Sequence, residues 1–364
     1  MHSYTDRVIS GEQNAFGVYV HIPFCAARCD YCAFATWTDR HHLTEAYLAA
    51  LATDIGRSVA AGMPAATSVF VGGGTPSMVP GPALVEVLAR IPLSGGAEVT
   101  IECNPDTITA ELLASYRDGP VTRLSFGVQS MVPHVLASLG RTHDPDNVRR
   151  SVALARAAGF ESFNVDLIYG AAGESLADWE QTVCGAIDLA PPHVSAYGLT
   201  VEAGTPLFDD IARHPDDDDQ ADKYELADDL LTQAGLPNYE ISNWAAQGHE
   251  CRHNALYWSQ GDYRGFGCAA HSHRTGRRWW NVRTPERYIG LVEGGRPTEA
   301  AHEDLDAETR RVEGLQLLLR TRAGVPLTAL DAQELPGLVE PDGERLVLTR
   351  AGRLMANEVS LRLR

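Results

Sequence analysis

VYVHIPFCAARCDYC, residues 18–32, opens as a strand and ends as a metal-binding loop. Tyr19 alternates with Val18 and Val20, the two-residue period of a strand. Cys25, Cys29 and Cys32 follow at C-x3-C-x2-C spacing. Three thiolates on one tight loop can hold three irons of a [4Fe-4S] cubane and leave the fourth iron without a protein ligand. A structural zinc is the rival. Zinc prefers a closed set of four ligands, and the nearest further cysteine is Cys103, so His21 or Asp30 would have to complete the site.

Outward from this stretch, short β-branched runs alternate with segments of helical periodicity. The strands expected are 18–22, 68–72, 98–102, 123–128, 162–169 and 193–199. The helices expected are at about 43–60, 82–91, 109–117, 146–158, 175–189 and 219–234. Such alternation predicts an α/β fold of parallel strands with right-handed helical crossovers. Six units are too few for a closed eight-stranded barrel, so a partial, TIM-like (β/α)6 barrel is expected over 18–236. Chemistry in such barrels collects in the loops after the strands, where HIPFC, GGGTP, ECNP, GVQS, DLIYG and GLT all lie.

Residues 1–17 read as an N-terminal extension, and 237–300 as an aromatic and histidine-rich insert carrying Trp244, Trp258, Trp279 and Trp280. Residues 301–364 read as a small α+β, winged-helix-like module, with a hairpin turn at Asp342-Gly343.

The chain has 364 residues, 44% hydrophobic and 21% charged, the composition of a folded globular protein. Lys and Arg total 30 against 48 Asp and Glu, a net charge of -18, with no dense basic stretch. Nucleic acid and anionic membrane surfaces are therefore not expected partners. The start MHSYTDRVIS is polar and no apolar run approaches the length of a spanning helix, so a cytoplasmic protein is expected. Seven cysteines, three within eight residues, point to reduced thiols and metal work rather than to disulfides.

The cysteine loop, with Tyr31 before the last cysteine and VYVHIPFC leading in, resembles the radical S-adenosylmethionine (SAM) superfamily. The resemblance implies that the open iron chelates the amino and carboxylate groups of SAM. It further implies that an electron, supplied by a donor, cleaves the sulfonium to a 5'-deoxyadenosyl radical.

The strand-end loops offer partners for such a ligand. Gly73 and Gly74, before Thr75, let backbone approach an ammonium closely; a simple turn is the ordinary alternative. Glu102 can accept from ribose hydroxyls or balance the sulfonium, unless it is a solvated surface carboxylate. Arg141 can pair with the methionine carboxylate, or form a surface ion pair. Gln129 and Asp166 end strands four and five and can bond the nucleoside. An Asp inside an apolar strand is costly without a partner. Tyr19 and Tyr31 complete the SAM set, although Tyr19 is equally a core aromatic.

YVHIPFC, GGGTP, SFGVQS, LGRTH, NVDLIYG, YEISNWA, HNALYW and GFGCAAHS together resemble the oxygen-independent coproporphyrinogen III oxidase family, over nearly the whole chain. The decarboxylating branch adds a fourth cysteine two places after the third and a longer N-terminal extension. Here Phe34 stands at that place and about seventeen residues precede the first strand, departures that favour the heme-chaperone branch. HNALYW, residues 253–258, matches that branch's HNxxYW signature.

The resemblance makes His253 a heme axial ligand and Tyr257 and Trp258 porphyrin walls, against the alternative of a hydrogen-bonded core histidine. His249, His271, His273, Cys251 and Cys268 compete for the iron, and Arg252, Arg277 and Arg278 for the propionates. The function implied is a chaperone that binds heme and passes it to an acceptor hemoprotein, respiratory and membrane-associated, with homodimerisation left open. Anaerobic oxidative decarboxylation of coproporphyrinogen III is the alternative.

Overall fold

β1 (Phe16–Ile22) is flanked on one side by β2 (Ala66–Gly73) and on the other by β9 (Asp262–Phe266), both parallel to it. This computed structural model describes residues 15–141 and 143–364. The extension expected over 1–17 lies mostly outside them, and the first strand starts two residues earlier than expected.

From β2 the sheet continues through β3 (Leu93–Cys103), β4 (Arg123–Gln129), β5 (Ser162–Tyr169) and β6 (His193–Gly198), all parallel. The expected crossover helices are found at Thr44–Ala60, Gly81–Leu88, Ala110–Asp118, Pro145–Ala157 and Leu176–Asp188, with Asp217–Gln233 after β6. In the first of them Tyr47, Leu48, Leu51 and Ile55 recur at helical spacing and are buried. Ser175 and Asp178 close a capping box at the start of Leu176–Asp188. A short helix at Pro133–Ser138 was not anticipated.

The two faces of this sheet differ. Val18, Val20, Val69, Val71, Val99, Ile101, Leu124, Phe126, Val165 and Leu167 join the main hydrophobic core. The alternate positions carry Tyr19, His21, Ser68, Glu98, Glu102, Ser125, Asn164, Asp166, His193 and Ser195, in register from strand to strand. Parallel strands covered on both sides are usually apolar throughout. Here one face is polar, and Asp166 belongs to a row of polar side chains rather than standing alone.

The aromatic insert expected over 237–300 is not one unit. β7 (Asn238–Glu240) and β8 (Asn243–Ala245) extend the sheet beyond β6, while β9, β10 (His271–Arg274), β11 (Arg277–Asn281) and β12 (Glu299–Asp304) extend it beyond β1, giving twelve strands. β12 pairs with β11, so residues 301–304 go with the main sheet and not with the C-terminal module. That module is a three-stranded sheet of β13 (Val325–Pro326), β14 (Val339–Asp342) and β15 (Arg345–Leu348) around a second small core. Gly343 makes the expected tight turn with φ of 59°. Among the described residues no helix is long and apolar enough to cross a membrane.

Candidate functional site

The cysteine loop hangs from the C-terminal end of β1. Cys25 N donates to Trp37 O at 3.1 Å and Cys32 N to Cys29 O at 3.2 Å, which closes the loop. All three cysteines are free thiols and partly exposed. Burial pushes the Cys25 and Cys32 thiols above their ordinary value, so forming thiolates here needs compensating charge or donors. Thr75 Oγ1 donates to Cys25 Sγ at 3.7 Å and Arg141 Nη1 to Cys29 Sγ at 3.6 Å. Three thiols on one loop, two of them with donors aimed at their sulfurs, suit the three-cysteine face of a cubane.

The two side chains that could have closed a zinc site are committed elsewhere. His21 Nε2 donates to Ala35 O at 2.9 Å and its Nδ1 accepts from the Tyr19 hydroxyl at 3.1 Å. Asp30 accepts from Arg213 Nη2 at 2.8 Å.

The glycine run packs against the chain entering this loop. Gly74 N donates to Ile22 O at 2.7 Å and Thr75 N to Phe24 O at 2.8 Å. A β-carbon on Gly74 would stand 2.7 Å from Phe24 O, and one on Gly73 2.3 Å from the His21 ring. One on Gly72 would meet the Glu102 carboxylate at 2.9 Å. Gly73 N donates to Glu102 Oε2 at 3.1 Å. Burial, with Asp166 adding like charge, raises the Glu102 carboxyl to about 8. Glu102 is therefore no solvated surface residue.

Asp166 accepts from Ser125 Oγ and Asn164 Nδ2, each at 2.8 Å. Asn164 Oδ1 in turn accepts from His193 Nδ1 at 2.6 Å, and His193 Nε2 accepts from the Tyr239 hydroxyl at 2.8 Å. Gln129 has a φ of 64° at an irregular end of β4, a left-handed conformation that costs a non-glycine residue about 1–3 kcal/mol. Arg141 Nη2 donates to Gly127 O at 3.0 Å. Tyr31 packs against the small cluster containing Val132, Val135, Leu139 and Ile168. Tyr19, Glu102, Asp166, Gln129, Arg141 and the glycines thus share the inner face or the strand ends beside the cysteine loop, an arrangement able to hold a nucleoside sulfonium.

The heme residues expected from HNALYW are placed differently. His253 opens the Arg252–Trp258 helix, at the start of β1 and β2, opposite the end that bears the cysteine loop. Glu98 Oε1 accepts from Arg252 N at 3.0 Å and fixes that helix start. His253 Nδ1 is hydrogen-bonded to Ser68 Oγ at 3.0 Å and Nε2 to the Tyr257 hydroxyl at 2.8 Å. Its ring stacks on Phe70, and burial lowers its pKa to about 3. Both ring nitrogens are hydrogen-bonded in this arrangement. Trp258 lies under the Arg320 guanidinium.

Tyr257 does line a cavity of about 880 Å³, with Tyr19, Phe34, Tyr263, His271 and Trp280. This cavity lies between the cysteine loop, β9–β11 and the helix Ala307–Leu319. Cys251 and Cys268 are buried outside it, and burial pushes both thiols up to about 12.

The family model of the Radical SAM superfamily matches residues 19–183. The heme chaperone HemW of Mycobacterium tuberculosis is 41% identical over 364 residues, covering 94% of this chain and 93% of that one. The chain belongs to the HemW family. HemW of Escherichia coli is 40% identical over 260 residues, 70% of this chain and 69% of its own. The solved structure of coproporphyrinogen III oxidase, HemN, from Escherichia coli has the same fold, with a TM-score of 0.83 at 21% identity, covering 98% of this chain and 92% of that one. The matched Radical SAM domain implies a [4Fe-4S] cluster and SAM, and the polar-face residues of this HemW family member are chemically suited to them.

Proposed function

We propose that this chain is a heme chaperone that holds heme in the 880 Å³ cavity beside the cysteine loop and passes it to an acceptor hemoprotein of a respiratory chain. The observation that carries the proposal is the cavity itself. It is walled by aromatic rings and opens next to Phe34, the residue standing where a fourth cysteine would be. Pockets of a few hundred to about 1,000 Å³ lined by apolar rings suit a large planar ligand.

Cys25, Cys29 and Cys32 would hold the [4Fe-4S] cluster, and Tyr19, Tyr31, Gly73, Gly74, Thr75, Glu102, Gln129, Arg141 and Asp166 would seat SAM at its open iron. The cluster, when bound and reduced, supplies the electron for cleaving a sulfonium. The chain's own part is positioning. Thr75 and Arg141 donate to the sulfurs of Cys25 and Cys29, Glu102 ties the ends of β2 and β3 together through Gly73, and Asp166 is held in one orientation by Ser125 and Asn164.

The test is anaerobic reconstitution of the full chain with iron and sulfide, followed by heme titration read by absorbance, with deoxyadenosine and carbon dioxide measured in the same samples. Saturable heme uptake and transfer to an apo-hemoprotein are expected. Carbon dioxide release from coproporphyrinogen III, with SAM consumed, would overturn the chaperone reading in favour of the decarboxylase.

A further inference from the structure

We propose that the iron of heme in this cavity is ligated by His271, and that Arg283 and Arg287 pair with its two propionates; the inference rests on the heme-carrier reading above. Among the described residues three histidines line the cavity. His21 has both nitrogens occupied, by Ala35 O and the Tyr19 hydroxyl. His273 donates from Nδ1 to Gly261 O at 2.9 Å and accepts at Nε2 from Gly276 N at 3.0 Å. His271 is exposed and, among the described residues, neither ring nitrogen has a hydrogen-bond partner. Its ring lies against Trp280, with centroids 5.6 Å apart and planes 25° apart. A neutral imidazole with a free nitrogen, held by stacking on a cavity wall, is a ready ligand for heme iron.

The cavity rim carries the matching charge. Arg277 is paired with Glu299 and Asp304, and Arg278 with Glu303 and Glu313, so neither is free for a new carboxylate. Arg283 and Arg287 also line the cavity, are exposed, and have no ion pair among the described residues. In a chain of net charge -18, two unneutralised guanidinium groups on one rim stand out, and arginine is the side chain best shaped for carboxylates. Phe34, 65% exposed at the mouth, offers an apolar ring that a bound porphyrin would cover.

The experiment is heme titration of the reconstituted full chain, with Soret position and affinity read for the native protein, His271→Ala, His253→Ala and Arg283→Ala/Arg287→Ala. His271→Ala is expected to shift the Soret band and weaken binding about tenfold or more, with both restored by added imidazole. The double arginine variant is expected to bind about tenfold more weakly with the band unmoved. Melting temperature and iron content, unchanged in His271→Ala and in the double arginine variant, control for folding, whereas His253→Ala, a core substitution, is read for its Soret position alone. If the native protein binds heme and His271→Ala behaves identically, the ligand assignment is wrong while the carrier reading stands. If the native protein takes up no heme, the carrier reading itself falls and the assignment with it.

Discussion

Gly73 N donates to Glu102 Oε2 across 3.1 Å, joining the ends of β2 and β3 where the cysteine loop leaves β1. Because burial raises this carboxyl to about 8, the folded chain holds a proton that the unfolded chain releases near 4.5. Stability from that proton is present at low pH and is lost as pH rises through this window, by at most about 1.4 kcal/mol per pH unit. Glu102→Gln should remove the dependence. Urea unfolding of the ligand-free protein at pH 6 and 8.5 should show the variant gaining on the native chain at the higher pH; parallel behaviour would refute the assignment.

Gly73→Ala should be costly for two separable reasons. Its φ is +109°, and the new β-carbon would stand 2.3 Å from a His21 ring already held by two hydrogen bonds. Gly62 has a φ of +89° with open space around it, so Gly62→Ala reports the backbone cost alone, about 1 kcal/mol. Gly73→Ala should lose about 1–3 kcal/mol more and retain less iron after reconstitution. Equal melting temperatures for the two variants would show that His21 yields freely.

His253→Ala should behave as a core mutation. It leaves the Ser68 and Tyr257 hydroxyls without their partner, worth about 1–3 kcal/mol. Burial keeps this imidazole neutral down to about pH 3, whereas the unfolded chain protonates it near 6.5. Its neutrality therefore costs stability progressively as pH falls from about 6.5 toward 3. Denaturation curves between pH 7 and 4 should be less acid-sensitive in the variant than in the native protein. A Soret shift in His253→Ala with stability unchanged would instead return the iron to this residue.

Asp228 is one of the carboxylates that tie the C-terminal module to the main body. Asp228 accepts from Trp244 Nε1 at 2.8 Å, Arg350 Nε at 2.7 Å and Arg353 Nη2 at 2.8 Å. Burial alone would raise this carboxyl, but the bonds from Arg353 and Trp244 hold it below the ordinary value. Asp228→Asn should cost about 1–3 kcal/mol and speed hydrogen exchange in Arg350–Leu354. Unchanged exchange there would mean that the module is held by its apolar contacts.

The βα alternation was legible because covered strands and crossover helices have different hydrophobic periods, and the helix ends came within a few residues. The polar inner row was missed although its signal is in the sequence. TIE, LSF and NVDL alternate polar with apolar, and Asp166 looked isolated only because its strand was read alone. The insert misled for another reason. Its tryptophans and histidines cluster along the chain, but strand pairing sends Trp244 to one edge of the sheet and Trp279 and Trp280 to the other.

By itself the sequence determined the cysteine triad, the six βα units, the glycine run and the HNALYW signature, because each depends on spacing along a few residues. Which nitrogens are free could be decided only by the tertiary structure. His253 and His271 are indistinguishable as letters beside aromatics. Ser68, 185 residues away in the chain, and Tyr257 occupy the first, whereas β10 presents the second to a cavity where, among the described residues, the Trp280 ring alone stacks on it. A hydrogen-bonding group's availability is set by what folding brings to it, and the partner that occupies Nδ1 of His253, Ser68, lies far away in the chain.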